Sequence, residues 1–157
     1  MKSILIVLMS FFLVSCSSKS ALEYFDKSDL EAKAFQESKK GDYLEKGIPK
    51  IILWATYLNN VDDEKYEKHE QFLVSVYTSN SEKQNIRDLK YSFKLNDIDT
   101  FHIEKINKDN EILKLVSKNN WGEYYLLMFP KNEESNIKLE LHDETKKLIS
   151  LSFVKAL

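Results

Sequence analysis

One cysteine, two prolines and three glycines in 157 residues remove several kinds of chemistry at the outset. A lone thiol forms no internal disulfide, so the bridge of antibody-type domains is excluded. Gly41, Gly47 and Gly122 build neither a glycine-rich phosphate loop nor a G-x-S-x-G nucleophile elbow. The same scarcity disfavours a closed ligand barrel, the runner-up to a sandwich, because barrel corners call for glycine. An excess of one charge is missing too. The 23 basic side chains are interleaved with 25 acidic ones, for a net charge of −2. Without a basic stripe, nucleic acid is not the expected partner. No internal repeat and no Pro- or Gly/Ser-rich linker divides the chain, so one domain is expected.

Clusters that would carry catalysis or metal are equally sparse. His69, His102 and His142 stand alone, and His69-Glu70 lacks the second histidine of H-E-x-x-H. His102 and His142 fall on the polar phase of their segments and are expected to face solvent. Asp62-Asp63-Glu64 lacks the glycine and alternating oxygens of a calcium loop, and with Lys65 and Lys68 reads as a solvated loop. Glu133-Glu134 likewise reads as loop solvation. The expectation is a protein with no catalytic residue, no metal ligand and no cofactor, hence not an enzyme.

What is present begins at the N-terminus. Residues 1–15, MKSILIVLMSFFLVS, place Lys2 before an apolar run from Ile4 to Val14 broken only by Ser10. The run suits a signal-peptide core and falls short of the roughly 20 residues that span a bilayer. It ends in Leu13-Val14-Ser15-Cys16, which resembles the lipobox of bacterial lipoproteins. In that family the cysteine thiol receives a diacylglycerol, the preceding segment is cleaved, and the new amino group is usually acylated. The resemblance implies that residues 1–15 are a cleaved signal peptide and that Cys16 carries a covalent lipid anchor. Two or three acyl chains hold a membrane stably where one does so marginally. Ser17 is not the aspartate that favours inner-membrane retention in such lipoproteins, which points to the outer membrane, facing the periplasm. Residues 16–19 then form a lipidated tether. Three extended residues after Cys16 span on the order of 10 Å, so the domain is expected to sit directly on the headgroups.

Residues 20–46 read as a helical segment. Ser20-Ala-Leu-Glu23 and Ser28-Asp-Leu-Glu31 both match the capping box. Lys39 and Lys40 suit a helix C-terminus and Gly41 its stop position, in one helix or in two broken at Ser28. Phe25, Ala32 and Tyr43 share one helical face, and Tyr24 and Phe35 another. Rings on two sides imply burial between surfaces or contact with a partner.

Residues 47–157 change to period two. The stretch 51–58, after Pro49, is apolar on both faces, as a central strand would be. A polar loop is expected over 59–70. Strand-like runs follow at 72–77, 91–95, 101–104, 112–116, 124–129, 137–141 and 149–153. That rhythm of about 7–8 short strands predicts a mainly β fold, an antiparallel two-sheet β-sandwich of immunoglobulin-like or transthyretin-like topology, packed with the N-terminal helical segment as one unit.

Aromatic residues supply the remaining candidates. Trp121-Gly122-Glu123-Tyr124-Tyr125 puts large rings at a turn and a strand entrance, and Trp54 and Tyr57 lie on opposite phases of the first strand. Core packing explains most such rings, while exposed ones make interfaces, so Trp121 and Tyr124 are the candidate interaction surface. The functional expectation is an envelope lipoprotein acting as a protein-interaction or structural accessory module. It has two partners, the membrane through its anchor and an unidentified envelope protein. The alternative is a lipoprotein that binds a small apolar ligand between the sheets or under the helix.

Overall fold

The computed structural model describes residues 28–80, 85–116 and 118–156. The signal peptide, Cys16, the tether, the Ser20 capping box, Tyr24 and Phe25 lie outside the described residues. The first element of the described residues is α1 (Asp29–Gln36), and its start matches the sequence pattern: the Ser28 hydroxyl accepts from the Glu31 amide at 3.3 Å.

The helix ends sooner than its lysines and glycine suggest. Residues Ser38–Glu45 form strand β1, antiparallel to β2 (Ile48–Tyr57), so the division at 46/47 between helical segment and sandwich falls within a hairpin. Its turn is Lys46-Gly47, with φ of 52° and 79°. Two successive positive φ values give the twist that matches paired strands. Gly41 is no helix stop. It sits inside β1, where β9 crosses so closely that a Cβ would lie 2.6 Å from Ile149 Cγ2. Tyr43 accordingly belongs to a strand rather than to the helical face assigned to it.

The chain continues through two single-turn helices, α2 (Leu58–Val61) and α3 (Asp63–Tyr66), within the stretch expected as a polar loop. Asp62 caps α3 by accepting from the Lys65 amide at 3.1 Å. Asn59 is buried and bonded on every side, donating to the carbonyls of Tyr66 and His69 and accepting from the Gln71 amide. Strands β3 (Glu70–Thr78), β4 (Ser92–Leu95), β5 (Ile98–Asp99) and β6 (His102–Ile106) follow. The run 112–116 is not a strand. Residues 112–115 lie in a 3-10 helix, Glu111–Leu115, started by Asn110, whose side chain accepts from the Ile112 amide at 3.0 Å. Five apolar residues are too few for period to separate helix from strand. Strands β7 (Glu123–Phe129), β8 (Asn136–His142) and β9 (Lys147–Val154) complete the chain.

The fold is mainly β, with nine strands in two antiparallel sheets and no closed barrel among the described residues. One sheet runs β1-β2-β3-β7-β6 and the other β5-β4-β8-β9. Alternation decides which side chains meet between them. From β2, β3 and β7 these include Leu53, Tyr57, Phe72, Val74, Tyr125 and Leu127; from the other sheet Phe93, Leu139, Leu141, Leu151 and Phe153. Phe72 is the centre, with ring centroids of Tyr57, Phe153 and Phe129 at 5.0, 5.2 and 6.0 Å. Each such fully buried ring contributes on the order of 1.5–3 kcal/mol.

The opposite face of the five-stranded sheet is also apolar, which explains why β2 lacks a polar phase. Leu73, Ile106 and Tyr124 project there and are covered by Leu58, Tyr66 and Leu113 of α2, α3 and the 3-10 helix. Among the described residues that covering is incomplete, and between α1 and the 3-10 helix they leave the sheet face open as a groove.

Candidate functional site

Strand register builds the floor of this groove. Trp54, Ser75 and Tyr124 lie side by side across β2, β3 and β7, with Thr56 and Leu73 paired in the next row. Glu31 and Phe35 of α1 form one wall. Lys114 and Leu115 of the 3-10 helix, with Lys118, Asn119 and Trp121 beyond it, form the other. The groove offers about 480 Å³, within the range filled by small ligands or anchoring side chains.

The floor's polar atoms are engaged with one another. Ser38 and Thr56 share a hydrogen bond of 2.6 Å, and Ser75 Oγ accepts from Asn119 Nδ2 at 3.0 Å. What the floor offers an occupant is therefore mostly apolar area. The Lys40 ammonium stands 5.1 Å from the centroid of the Trp54 ring, a cation–π approach at one edge.

Asn119 organises the second wall. Its Oδ1 accepts from the amides of Trp121 at 3.2 Å and Gly122 at 2.6 Å, while its own amide donates to the Tyr124 hydroxyl at 2.7 Å. Gly122 is required here because a Cβ would overlap Ser75 Oγ. The loop is thereby fixed while its largest side chain is left outside: Trp121 is 74 % exposed. Tyr124, the other candidate, is 2 % exposed and serves as floor rather than as free surface. Rings from the same short sequence thus take opposite positions, one on the rim and one beneath it.

Asn119, and the rings of Trp54 and Phe35, belong to the groove alongside Trp121 and Tyr124. For Asn119 a signal existed, since Asn-Asn-Trp-Gly is a sequence in which an asparagine side chain bonds amides two and three residues on. For Trp54 only register with β3 and β7 brings it beside Tyr124.

The remaining polar clusters are elsewhere. Glu70, wholly buried, receives the Tyr57 hydroxyl at 2.5 Å, the Lys155 ammonium at 2.6 Å and the Asn132 amide at 3.0 Å. Lys155 also bonds the Asn132 carbonyl, which ties the end of the chain to the start of β3. Burial pushes the Tyr57 hydroxyl pKa far up, and the adjacent carboxylate pushes it further. Glu140 lies on the outer face of the second sheet, between Lys147 at 2.9 Å and His142 at 3.0 Å. His102 is exposed, His142 is half-buried, and His69 meets the Phe101 ring edge-on at 5.1 Å. Among the described residues no group of three or more His, Cys, Asp or Glu is placed to hold a metal ion, and no helix is long and apolar enough to cross a membrane.

No family model, curated protein or solved structure matches the chain.

Proposed function

We propose that the chain is a lipid-anchored protein of the bacterial envelope, held by Cys16 at the outer membrane, and that its groove receives a partner protein. The observation that carries this reading is Trp121: a large ring exposed on a backbone that Asn119 fixes in place, at the rim of an apolar groove. Exposed tryptophan beside a preformed pocket is the composition of binding hot spots, and a fixed loop lowers the ordering cost of association. In this reading the protein is an accessory module and not an enzyme.

Two measurements test it. Metabolic labelling with a fatty-acid analogue should mark the wild-type chain and leave Cys16→Ser unmarked; a labelled Cys16→Ser protein overturns the anchor. A photo-crosslinking residue placed at Leu115, in the groove wall, in intact cells should give one discrete protein adduct, absent when the crosslinker replaces Lys138 on the far sheet. Equal adducts from both positions remove the groove from the account.

The second reading, binding of a small apolar ligand, is favoured by the groove's volume and by its place beside α1. It differs from a pocket between the sheets, a space that rings such as Phe72 and Phe153 occupy. Native mass spectrometry of the gently extracted protein separates the two readings, because a ligand would appear as a discrete added mass.

A further inference from the structure

We infer that the groove takes an apolar peptide segment of a partner protein that carries acidic residues along one flank. This rests on the reading of the chain as an interaction module and specifies the chemistry of its partner. The floor supplies the first half of the argument. Half-buried Trp54 on the floor, with Phe35, Leu115 and Trp121 on the walls, presents apolar surface, Leu73 and Tyr124 close the floor beneath, and the hydroxyls there are bonded within the protein. Apolar side chains are favoured there, because a polar group entering would lose water without a matched partner.

The rim supplies the second half. Lys114 and Lys118 line the wall that carries Trp121. Lys108 stands behind them, donating to the Asn120 carbonyl at 3.3 Å, while Lys118 reaches the Lys108 carbonyl at 3.4 Å. Lys114 is paired with Glu111 one turn away. Across the groove the charged lining residue is Glu31 of α1. A segment lying between the walls therefore meets Lys118 and the Glu111-paired Lys114 on the loop side, Glu31 on the helix side, and the Lys40 ammonium at the Trp54 edge. Complementary charge on the rim selects and orients partners, while apolar contact beneath supplies most of the affinity. An acidic flank facing Lys114 and Lys118 satisfies both conditions.

The chain offers its own reporter, since both of its tryptophans line this groove. The full lipidated protein is placed in phosphatidylcholine nanodiscs, whose zwitterionic lipid adds no net charge. It is titrated with an eight-residue peptide alternating leucine or phenylalanine with glutamate, and with the same peptide carrying lysine for glutamate. Tryptophan emission is expected to shift saturably with the acidic peptide and to require roughly tenfold more of the basic one, a preference that weakens with salt. Lys114→Glu combined with Lys118→Glu, both exposed positions, should abolish or invert the preference without unfolding the domain. Equal binding of the two peptides overturns the inference, as does a preference unchanged in the charge-reversed protein. Saturable binding of dodecanoate with neither peptide bound overturns it too, in favour of the small-ligand reading. If crosslinks at position 115 still form in cells, the interaction reading survives that failure; if they too are absent, both fall.

Discussion

Lys155, in the last residues of the chain, places its ammonium nitrogen 2.6 Å from a carboxylate oxygen of Glu70, a residue with no exposed surface. The pair joins positions 85 residues apart and fastens the segment after β9 to the first residue of β3. Removing the cation leaves a buried carboxylate with only Tyr57 and the Asn132 amide as donors. Lys155→Met is therefore expected to cost about 3 kcal/mol of folding stability at neutral pH. Urea unfolding followed by circular dichroism measures this. A loss below about 1 kcal/mol would class the pair with exposed salt bridges.

The same carboxylate sets the acid limit of the fold. Burial alone would raise the Glu70 pKa, but hydrogen bonds from Lys155, Tyr57 and the Asn132 amide outweigh it and hold the value below the ordinary 4.5. Such a group gives its full stabilisation above the unfolded value and loses it as pH falls through the folded one. Glu140, held down by Lys147 and His142 against its own desolvation, acts in the same direction. Stability should stay level from pH 7 to about 5 and then decline. In Glu70→Gln the decline below pH 4.5 should be shallower, on a lower plateau. Parallel acid limbs in urea midpoints taken from pH 3 to 7 would show that Glu70 does not titrate in this window.

Sequence alone revealed most of the strands and little of the site, for physical reasons. Ile137, Leu139 and Leu141 alternate cleanly because one face of β8 is core and the other is wet. Ser28 was readable because a cap is a local device spanning three residues. β1 was not, because Ser-Lys-Lys-Gly-Asp-Tyr-Leu-Glu has no apolar alternation; its strand form comes from pairing with β2 and contact with β9. The groove is harder still. Trp54, Ser75 and Tyr124 become neighbours only through the register of three strands, which no local pattern encodes. Trp121 stood out by type, but its exposure follows from Asn119 holding the loop.

Gly41 offers a direct check of that unforeseen strand. A Cβ there would come within 2.6 Å of Ile149 and 3.0 Å of Leu151, both packed into the core. Overpacking of this kind costs about 1–3 kcal/mol. Gly41→Val is expected near the upper end and Gly41→Ala lower, with part of the Ala cost recovered in a Gly41→Ala, Ile149→Ala double variant. Additive losses in the double variant would mean that the two residues do not touch.

Tyr66 predicts a gain rather than a loss. Its hydroxyl is buried in the second apolar cluster with no hydrogen-bond partner among the described residues. An unmet buried hydroxyl carries its desolvation cost uncompensated. Tyr66→Phe keeps the ring and removes that cost, so unfolding should move to higher urea, a gain of about 1 kcal/mol in stability. A lower midpoint would reveal a partner for the hydroxyl.

Trp121 and Asn119 should separate binding from folding. The Trp121 ring is three-quarters exposed, and surface truncations usually change stability by no more than about 0.5 kcal/mol. Trp121→Ala should thus fold normally while losing the groove's peptide binding and the crosslinks formed from position 115. Asn119→Ala is the opposite case. It strips the Trp121 and Gly122 amides of their acceptor and Ser75 of its donor, at about 1–3 kcal/mol for a partly buried set. It also frees the loop, so in a Trp54→Phe background the fluorescence anisotropy of Trp121 should fall. If Trp121→Ala instead abolished folding, the ring would belong to the core and the groove would lose its anchor. If it folded and still bound peptide as the wild type does, recognition would have to reside on the floor, with Trp54 and Tyr124.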